Sequence, residues 1–291
     1  MARLRHPRAI SRVHGERPDN ITRSFKSENY PGPYWLHQHA ERCCNVQAMS
    51  MPWSGRALVV GAGGIGRALA SSLRMNHPQL EVTLCGRELA AGIDWSVDLE
   101  SPPSLEALQQ KLIADSLPLR LVINATGLLH RADGDAPAIT PEKRLQQVDL
   151  HALNACFAVN AAAPLLLAKA IEPCLERSRP FHYASLSARV GSITDNRSGG
   201  WYAYRGAKAA QNMYLKTLSL EWARRFPQAT VLLLHPGTTD TALSKPFQSF
   251  VRPEALFSPE RAAGHLLEVL MNQGPDQSGS FLAWDGQPIP W

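Results

Sequence analysis

From residue 55 onward, short apolar runs rich in β-branched residues alternate with longer stretches whose apolar positions recur at helical spacing. Residues 56–60, 81–85, 119–124, 181–186, 229–234 and 279–284 predict strands. Residues 104–114, with Ser104 as N-cap, and residues 141–171, 204–226 and 259–271 predict helices. Strands alternating with helices predict a mostly parallel sheet covered on both faces. With no internal repeat and no linker after residue 55, the expectation is a single-domain, doubly wound α/β fold over residues 51–291.

The first strand runs into Gly61-Ala62-Gly63-Gly64-Ile65-Gly66, and a helical pattern follows from Arg67. Strand, tight glycine turn and helix form the opening of a dinucleotide-binding Rossmann fold. Glycine lets the backbone approach a pyrophosphate, and the helix N-terminus offers unpaired N–H groups and a favourable dipole. Gly61, Gly63 and Gly66 match G-x-G-x-x-G, with Gly64 and Ile65 inside the turn.

Tyr204 and Lys208 lie four residues apart in a predicted helix, one above the other on the same face. An ammonium there favours phenolate over phenol and is expected to lower the tyrosine pKa from about 10. A phenol tuned in that way gives a proton to a carbonyl oxygen or takes one from an alcohol. Neighbouring Tyr202 has Gly206 at its i+4 position and cannot form the same pair.

Composition removes other classes. The chain of 291 residues, 44% apolar, is long enough for a sizeable core. No uninterrupted apolar run approaches the roughly 20 residues that span a membrane. Cys43, Cys44, Cys85, Cys156 and Cys174 show no metal-ligand spacing, and their odd number fits a reducing, cytoplasmic compartment better than a disulfide framework. The net charge of +5 belongs mostly to residues 1–50, which hold eight Lys/Arg and four Asp/Glu. That segment reads as a disordered basic extension or as sequence upstream of a start at Met49 or Met51. A targeting peptide and a recruitment arm are further readings; its arginines are too sparse for a nucleic-acid surface.

Taken together, the glycine turn, Asp98 after the third strand, Asn124-Ala125-Thr126-Gly127, Asn160, Tyr204 with Lys208, and Pro236-Gly237-Thr238-Thr239-Asp240-Thr241 resemble the short-chain dehydrogenase/reductase family over residues 55–291. The segments around Ser187 to Asn196 and Gly199 to Arg205, with the ending Trp284 to Trp291, resemble a narrower group of C-factor-like and sniffer-type carbonyl reductases. The resemblance implies Tyr204 as general acid or base, with Lys208 lowering its pKa and binding the nicotinamide ribose. It implies that Asn160 holds a water of a proton relay. Asn124, Ala125 and Gly127 would line the adenosine side of the cofactor, Asp98 would meet the adenine, and Pro236, Gly237, Thr238 and Thr241 would cover the nicotinamide carboxamide. A homodimer or homotetramer, built on the helices around Asn160 and Tyr204, is implied too.

Cofactor choice rests on Cys85-Gly86-Arg87. The second strand ends without an acid for a ribose 2′-hydroxyl, and Arg87, helped by Arg67, suits a 2′-phosphate. NADP(H) is therefore favoured over NAD(H). Two departures from the family pattern remain. The glycine turn is one residue short, and Ala188 stands where the family's usual spacing puts a serine that polarises the substrate carbonyl, which leaves Ser187 as the candidate. The expected activity is NADP-dependent reduction of an aldehyde or ketone, with an apolar segment at residues 242–257 as substrate lid. A weakly catalytic nucleotide-binding sensor on the same fold is the alternative.

Overall fold

The computed structural model describes residues 54–291 apart from 133 and 135, so every expectation about the basic segment 1–50 lies outside the described residues. The elements, in order, are β1 (Gly55–Val60), α1 (Gly64–Asn76), β2 (Leu80–Gly86), β3 (Trp95–Ser96), α2 (Pro102–Ile113), β4 (Leu119–Asn124), α3 (Leu150–Phe157) and α4 (Ala163–Ile171). There follow β5 (Phe181–Leu186), α5 (Tyr202–Arg225), β6 (Ala229–His235), β7 (Thr238–Thr239), β8 (Leu256–Phe257), α6 (Pro259–Met271) and β9 (Ser280–Ala283). Seven strands form one parallel sheet in the order β3-β2-β1-β4-β5-β6-β9, while β7 and β8 pair separately. This is the doubly wound Rossmann architecture expected from the alternation. Its strand order reverses between β1 and β4, the place where such sheets open a crevice at their carboxyl ends.

The strands sort their side chains by parity. In β1, Leu58 and Val60 join Leu167, Ile171, Leu215 and Trp222 on one face, under α4 and α5. Ala57 and Val59 join Leu69, Leu73, Leu266 and Leu270 on the other, under α1 and α6. Because both faces are covered, β1 reads as a continuous apolar run rather than an alternating one. Truncating any one of these leucines to alanine is expected to cost about 2–5 kcal/mol.

Two expected helices are corrected. Helix α2 begins at Pro102, not at Ser104, and its N-cap is Ser101, whose side chain accepts from the Ser104 N–H. Pro102 and Pro103 are suited to a first turn, and the Ser104 hydroxyl instead accepts from the Asp98 N–H at 2.9 Å. The helix expected over 141–171 starts only at Leu150, where Asp149 caps it by accepting from His151 and Ala152. It is also interrupted by a π-helical turn at Ala158–Ala162, between α3 and α4. The helical stretch Leu150–Cys174, though broken by polar residues, is long and apolar enough by length and composition alone to cross a membrane. Its Ala161, Leu167, Ala168 and Ile171 are fully buried within the protein.

Candidate active site

A cleft of about 790 Å³ lies at the switch point, along the carboxyl ends of the strands. The glycine turn forms one wall. Gly61 takes φ +110°, and a Cβ on Gly66 would meet the Gly61 carbonyl oxygen at 1.8 Å. Those two positions therefore demand glycine, whereas a Cβ on Gly63 would meet nothing within 4 Å. Helix α1 starts at Gly64 with no side-chain cap on its first N–H groups. Open space beside a glycine, against an uncapped helix N-terminus, is a cradle that fits a pyrophosphate. The one-residue deletion leaves this cradle formed.

The cleft extends from Arg87, Asp98 and Glu100, past the turn and Ala125, Thr126 and Gly127, to Ser187, Tyr204 and Lys208. At the adenosine end, Arg87 is largely exposed, with Glu100 3.8 Å from its guanidinium. Arg67 lines the cleft too, but its guanidinium donates to the carbonyls of Ala62 (3.0 Å) and Ala91 (3.3 Å). Asp98 lines the cleft and accepts from the Glu100 N–H at 3.0 Å.

At the other end, α5 presents Tyr204 and Lys208 on one face, with Nζ of Lys208 5.8 Å from the phenol ring centroid. Burial dominates both groups. The phenol is pushed above its ordinary value by desolvation, with a smaller contribution from Cys156. This corrects the expectation of a lowered tyrosine pKa. Desolvation also pulls Lys208 down to about 7, so the ammonium is itself the group under pressure. Lys208 is 2% exposed and donates to the Leu186 carbonyl and to Oε1 of Gln211, both at 2.8 Å.

Ser187, rather than Ala188, reaches the cleft. Its N–H continues the sheet by donating to the Leu234 carbonyl, and its hydroxyl donates to Oδ1 of Asn212 at 2.7 Å.

Four expected site residues stand behind the cleft rather than on it. Asn124 is fully buried; it donates to the Ser185 hydroxyl at 2.9 Å and accepts from the N–H and hydroxyl of Thr126. It props the loop whose Ala125, Thr126 and Gly127 form the wall. Asn160, also fully buried, accepts from the Leu128 N–H and donates to the carbonyls of Leu128 and Cys156. Its side chain repairs the π-helical turn and pins the Leu128 loop; Val159 and Ala163 line the cleft beside it. Gly237, at φ +75°, packs under Phe257 and Trp284, and Thr238 pairs with Leu256. Pro236 and Thr241 do line the cleft.

Further residues contribute to the site. Gln211 and Asn212, at i+3 and i+4 from Lys208, hold Lys208 and Ser187; helical spacing alone places them on that face. His130 lines the cleft, and its Nε2 lies 3.1 and 3.2 Å from the carbonyls of Ala242 and Leu243, so that nitrogen carries the proton. The expected lid divides: Ala242 and Leu243 line the cleft, Phe247 packs on Trp201 (5.0 Å) and His130 (5.9 Å), and Phe257 is buried.

A sequence model of the short chain dehydrogenase family matches residues 56–251. The chain is 30% identical to 1-hydroxy-2-glutathionyl-2-methyl-3-butene dehydrogenase from Rhodococcus sp. over 241 residues, 80% of this chain and 98% of the relative. It is 32% identical to C-signal from Myxococcus xanthus over 148 residues, 50% of this chain and 83% of that one. Among solved structures, the carbonyl reductase Sniffer of D. melanogaster superposes with a TM-score of 0.67 at 24% identity, over 82% of this chain and 100% of that chain. An NADPH-bound carbonyl reductase from chicken fatty liver gives 0.67 at 23%, covering 82% and 99%; at such identities these two structures speak to the fold.

Proposed function

The chain belongs to the short-chain dehydrogenase family, and from that premise we propose that it is an NADP(H)-dependent reductase of aldehydes or ketones. The observation that carries this reading is the sharing of one cleft by the glycine turn and by Ser187, Tyr204 and Lys208. A bound nicotinamide dinucleotide supplies the hydride. The glycine turn and the α1 N-terminus would hold its pyrophosphate, with Ala125, Thr126 and Gly127 beside the adenosine half and Asp98 toward the adenine. Thr241 and Pro236 bound the nicotinamide end. Arg87, exposed after a strand that ends without an acid, offers a bidentate partner for a 2′-phosphate, which favours NADP(H).

Ser187 and Tyr204 bind the substrate oxygen. Tyr204 donates its proton to that oxygen in reduction, and Lys208 compensates the phenolate left behind while holding the ribose. A buried phenol with a raised pKa stays protonated at neutral pH, which is the form reduction needs. Leu243 and His130 bound the substrate end of the cleft with an apolar and an aromatic side chain. Exposed Phe157 and Leu166 on the α3–α4 stretch and Met213 and Leu220 on α5 offer apolar surface for a homo-oligomer.

The test is NADPH and NADH binding, followed by nicotinamide absorbance with a carbonyl panel and, in reverse, with alcohols, since one relative is named as a dehydrogenase of a hydroxy compound. Turnover with NADPH that is lost in Tyr204→Phe, with NADPH binding retained, is the expected result. Full turnover in that variant overturns the mechanism. The second reading, a nucleotide-binding protein with a signalling role, is favoured by the likeness to C-signal; it is the conclusion if NADPH binds and no carbonyl or alcohol turns over.

A further inference from the structure

Beneath the cleft, four polar side chains form a chain with no exposed member. Asn124, Ser185 and Gln211 are 0% exposed and Lys208 2%. Burial of so many polar groups is tolerated only when their hydrogen bonds are made. Here the directions can be read. Asn124 accepts from the Thr126 N–H and hydroxyl through Oδ1, so its Nδ2 is the atom that donates to Ser185 at 2.9 Å. Gln211 lies within 2.7 Å of the Ser185 hydroxyl and 3.2 Å of the Leu186 carbonyl through Nε2. A carbonyl can only accept, so Nε2 belongs on that side and Oε1 is left facing Lys208 at 2.8 Å.

We propose that Gln211 is the positioning residue of Lys208: its carboxamide, locked by Ser185 and the Leu186 carbonyl, fixes the ammonium at the floor of the cleft and ties it, through Ser185 and Asn124, to the Thr126 loop on the opposite wall. The inference rests on the reductase reading for its functional meaning, but the contact itself does not. Carboxamides do not release protons near neutrality, so this chain is a brace and not a proton wire.

The lysine needs such a brace because, among the described residues, no charged group offsets its burial. Tyr204, on the same helix, is the titratable side chain facing it, with the thiol of Cys156 behind the phenol; burial holds both neutral, the thiol pushed up to about 11. Strand β5 contributes the Leu186 carbonyl, and the turn after it contributes Gly191, whose missing Cβ would lie 2.8 Å from the Lys208 Cβ. Two neutral acceptors, the Leu186 carbonyl and Gln211, hold the ammonium, and only one of them is a side chain. With two of its three N–H bonds directed downward, Lys208 has one left to present to the cleft.

The test reads Lys208 directly, without cofactor or turnover. The full chain is labelled with 13Cε-lysine and titrated by NMR, the Lys208 signal being assigned by its loss in Lys208→Met. Gln211→Leu removes the acceptor and is expected to move the Lys208 midpoint down by about one pH unit or more; Gln211→Glu, which adds a negative charge, moves it up. Ser185→Ala, which unlocks the carboxamide without touching Lys208, moves it down by less. Opposite shifts in the two Gln211 variants establish the brace. Wild-type titration of Lys208 in Gln211→Leu and Gln211→Glu overturns it, and if Gln211→Leu does not fold, an unmoved midpoint in Gln211→Glu and Ser185→Ala does the same. If the shifts appear but no variant, nor the wild type, reduces any carbonyl, the reductase reading fails and the brace stands.

Discussion

The hydroxyl of Ser187 and Oδ1 of Asn212 lie 2.7 Å apart beneath the cleft, and the Asn212 amide nitrogen, also buried, has no hydrogen-bond partner among the described residues. The two ends of a carboxamide can be exchanged by rotating it half a turn. In the alternative orientation, the amide donates to Ser187 and frees the hydroxyl proton for a substrate carbonyl. Asparagine thus permits Ser187 to act as donor, whereas a carboxylate would hold the serine proton for itself.

Asn212→Asp is therefore expected to reduce kcat for carbonyl reduction by a factor approaching that of Ser187→Ala, on the order of 10²–10³. NADPH affinity is expected to change much less. Adding Ala188→Ser to Ser187→Ala should restore nothing, because position 188 does not line the cleft. Steady-state kinetics on the four proteins decides it; rescue by serine at 188 would reinstate the family's usual spacing.

Lys208, held near 7 by burial, loses its charge as the pH rises through that value. The rate constant kcat/KM reports ionisations of the free enzyme. For carbonyl reduction it should be level below about pH 7 and fall by up to tenfold per unit above it. Lys208→Arg, whose guanidinium stays charged, should lack that limb whatever its absolute rate. A profile level to pH 9 in the wild type would remove Lys208 ionisation from the mechanism.

Gly66 and Gly63 separate the folding of the turn from its use. A Cβ at 66 collides with the Gly61 carbonyl, while at 63 it enters open space. Gly66→Ala should lower Tm by several degrees, since a clash of this kind costs about 1–3 kcal/mol or more. Gly63→Ala should leave Tm close to wild type and weaken NADPH binding. Thermal melts with and without NADPH distinguish the two.

Much of the fold was legible because the signals were local and repeated. The apolar runs of β1, β4, β5 and β6 and the periodicity of α5 and α6 each identify an element without knowledge of its neighbours. The glycine turn, Tyr204, Lys208 and Ser187 were legible for the same reason: spacing along one strand end or one helix face brings them together. The rest depends on tertiary context. Asn160 and Asn124 are polar residues at cleft-wall segments, and nothing local says that their amides turn inward to satisfy the backbone of Leu128 and the hydroxyl of Ser185. The tyrosine pKa departs from the expectation because an i+4 ammonium is visible in sequence and burial is not. Gln211 carries no local signal, because a glutamine in a helix is ordinarily a solvated residue.

Burial of Lys208 also leaves a signature in stability, and its sign is fixed. The unfolded chain holds the lysine proton up to about 10.5, the folded one only to about 7. Between those values the unfolded state binds more protons, so stability rises with pH; below 7 both states are protonated and the penalty for the buried charge is complete. Lys208→Met has no such ionisation. It also leaves the Leu186 carbonyl and Gln211 short of a donor, a cost on the order of 1–3 kcal/mol that does not vary with pH. The difference between the two proteins therefore isolates the lysine, because every other titrating group is common to both. Relative to wild type, Lys208→Met should be most favoured below pH 7 and lose that advantage steadily to about pH 10.5, by an amount on the order of 5 kcal/mol. Denaturant melts of both proteins at pH 6, 8 and 10 measure it. A gap that stays constant across the three would mean that Lys208 keeps its proton in the folded protein, and that its contacts to Gln211 and Leu186 outweigh the cost of burying it.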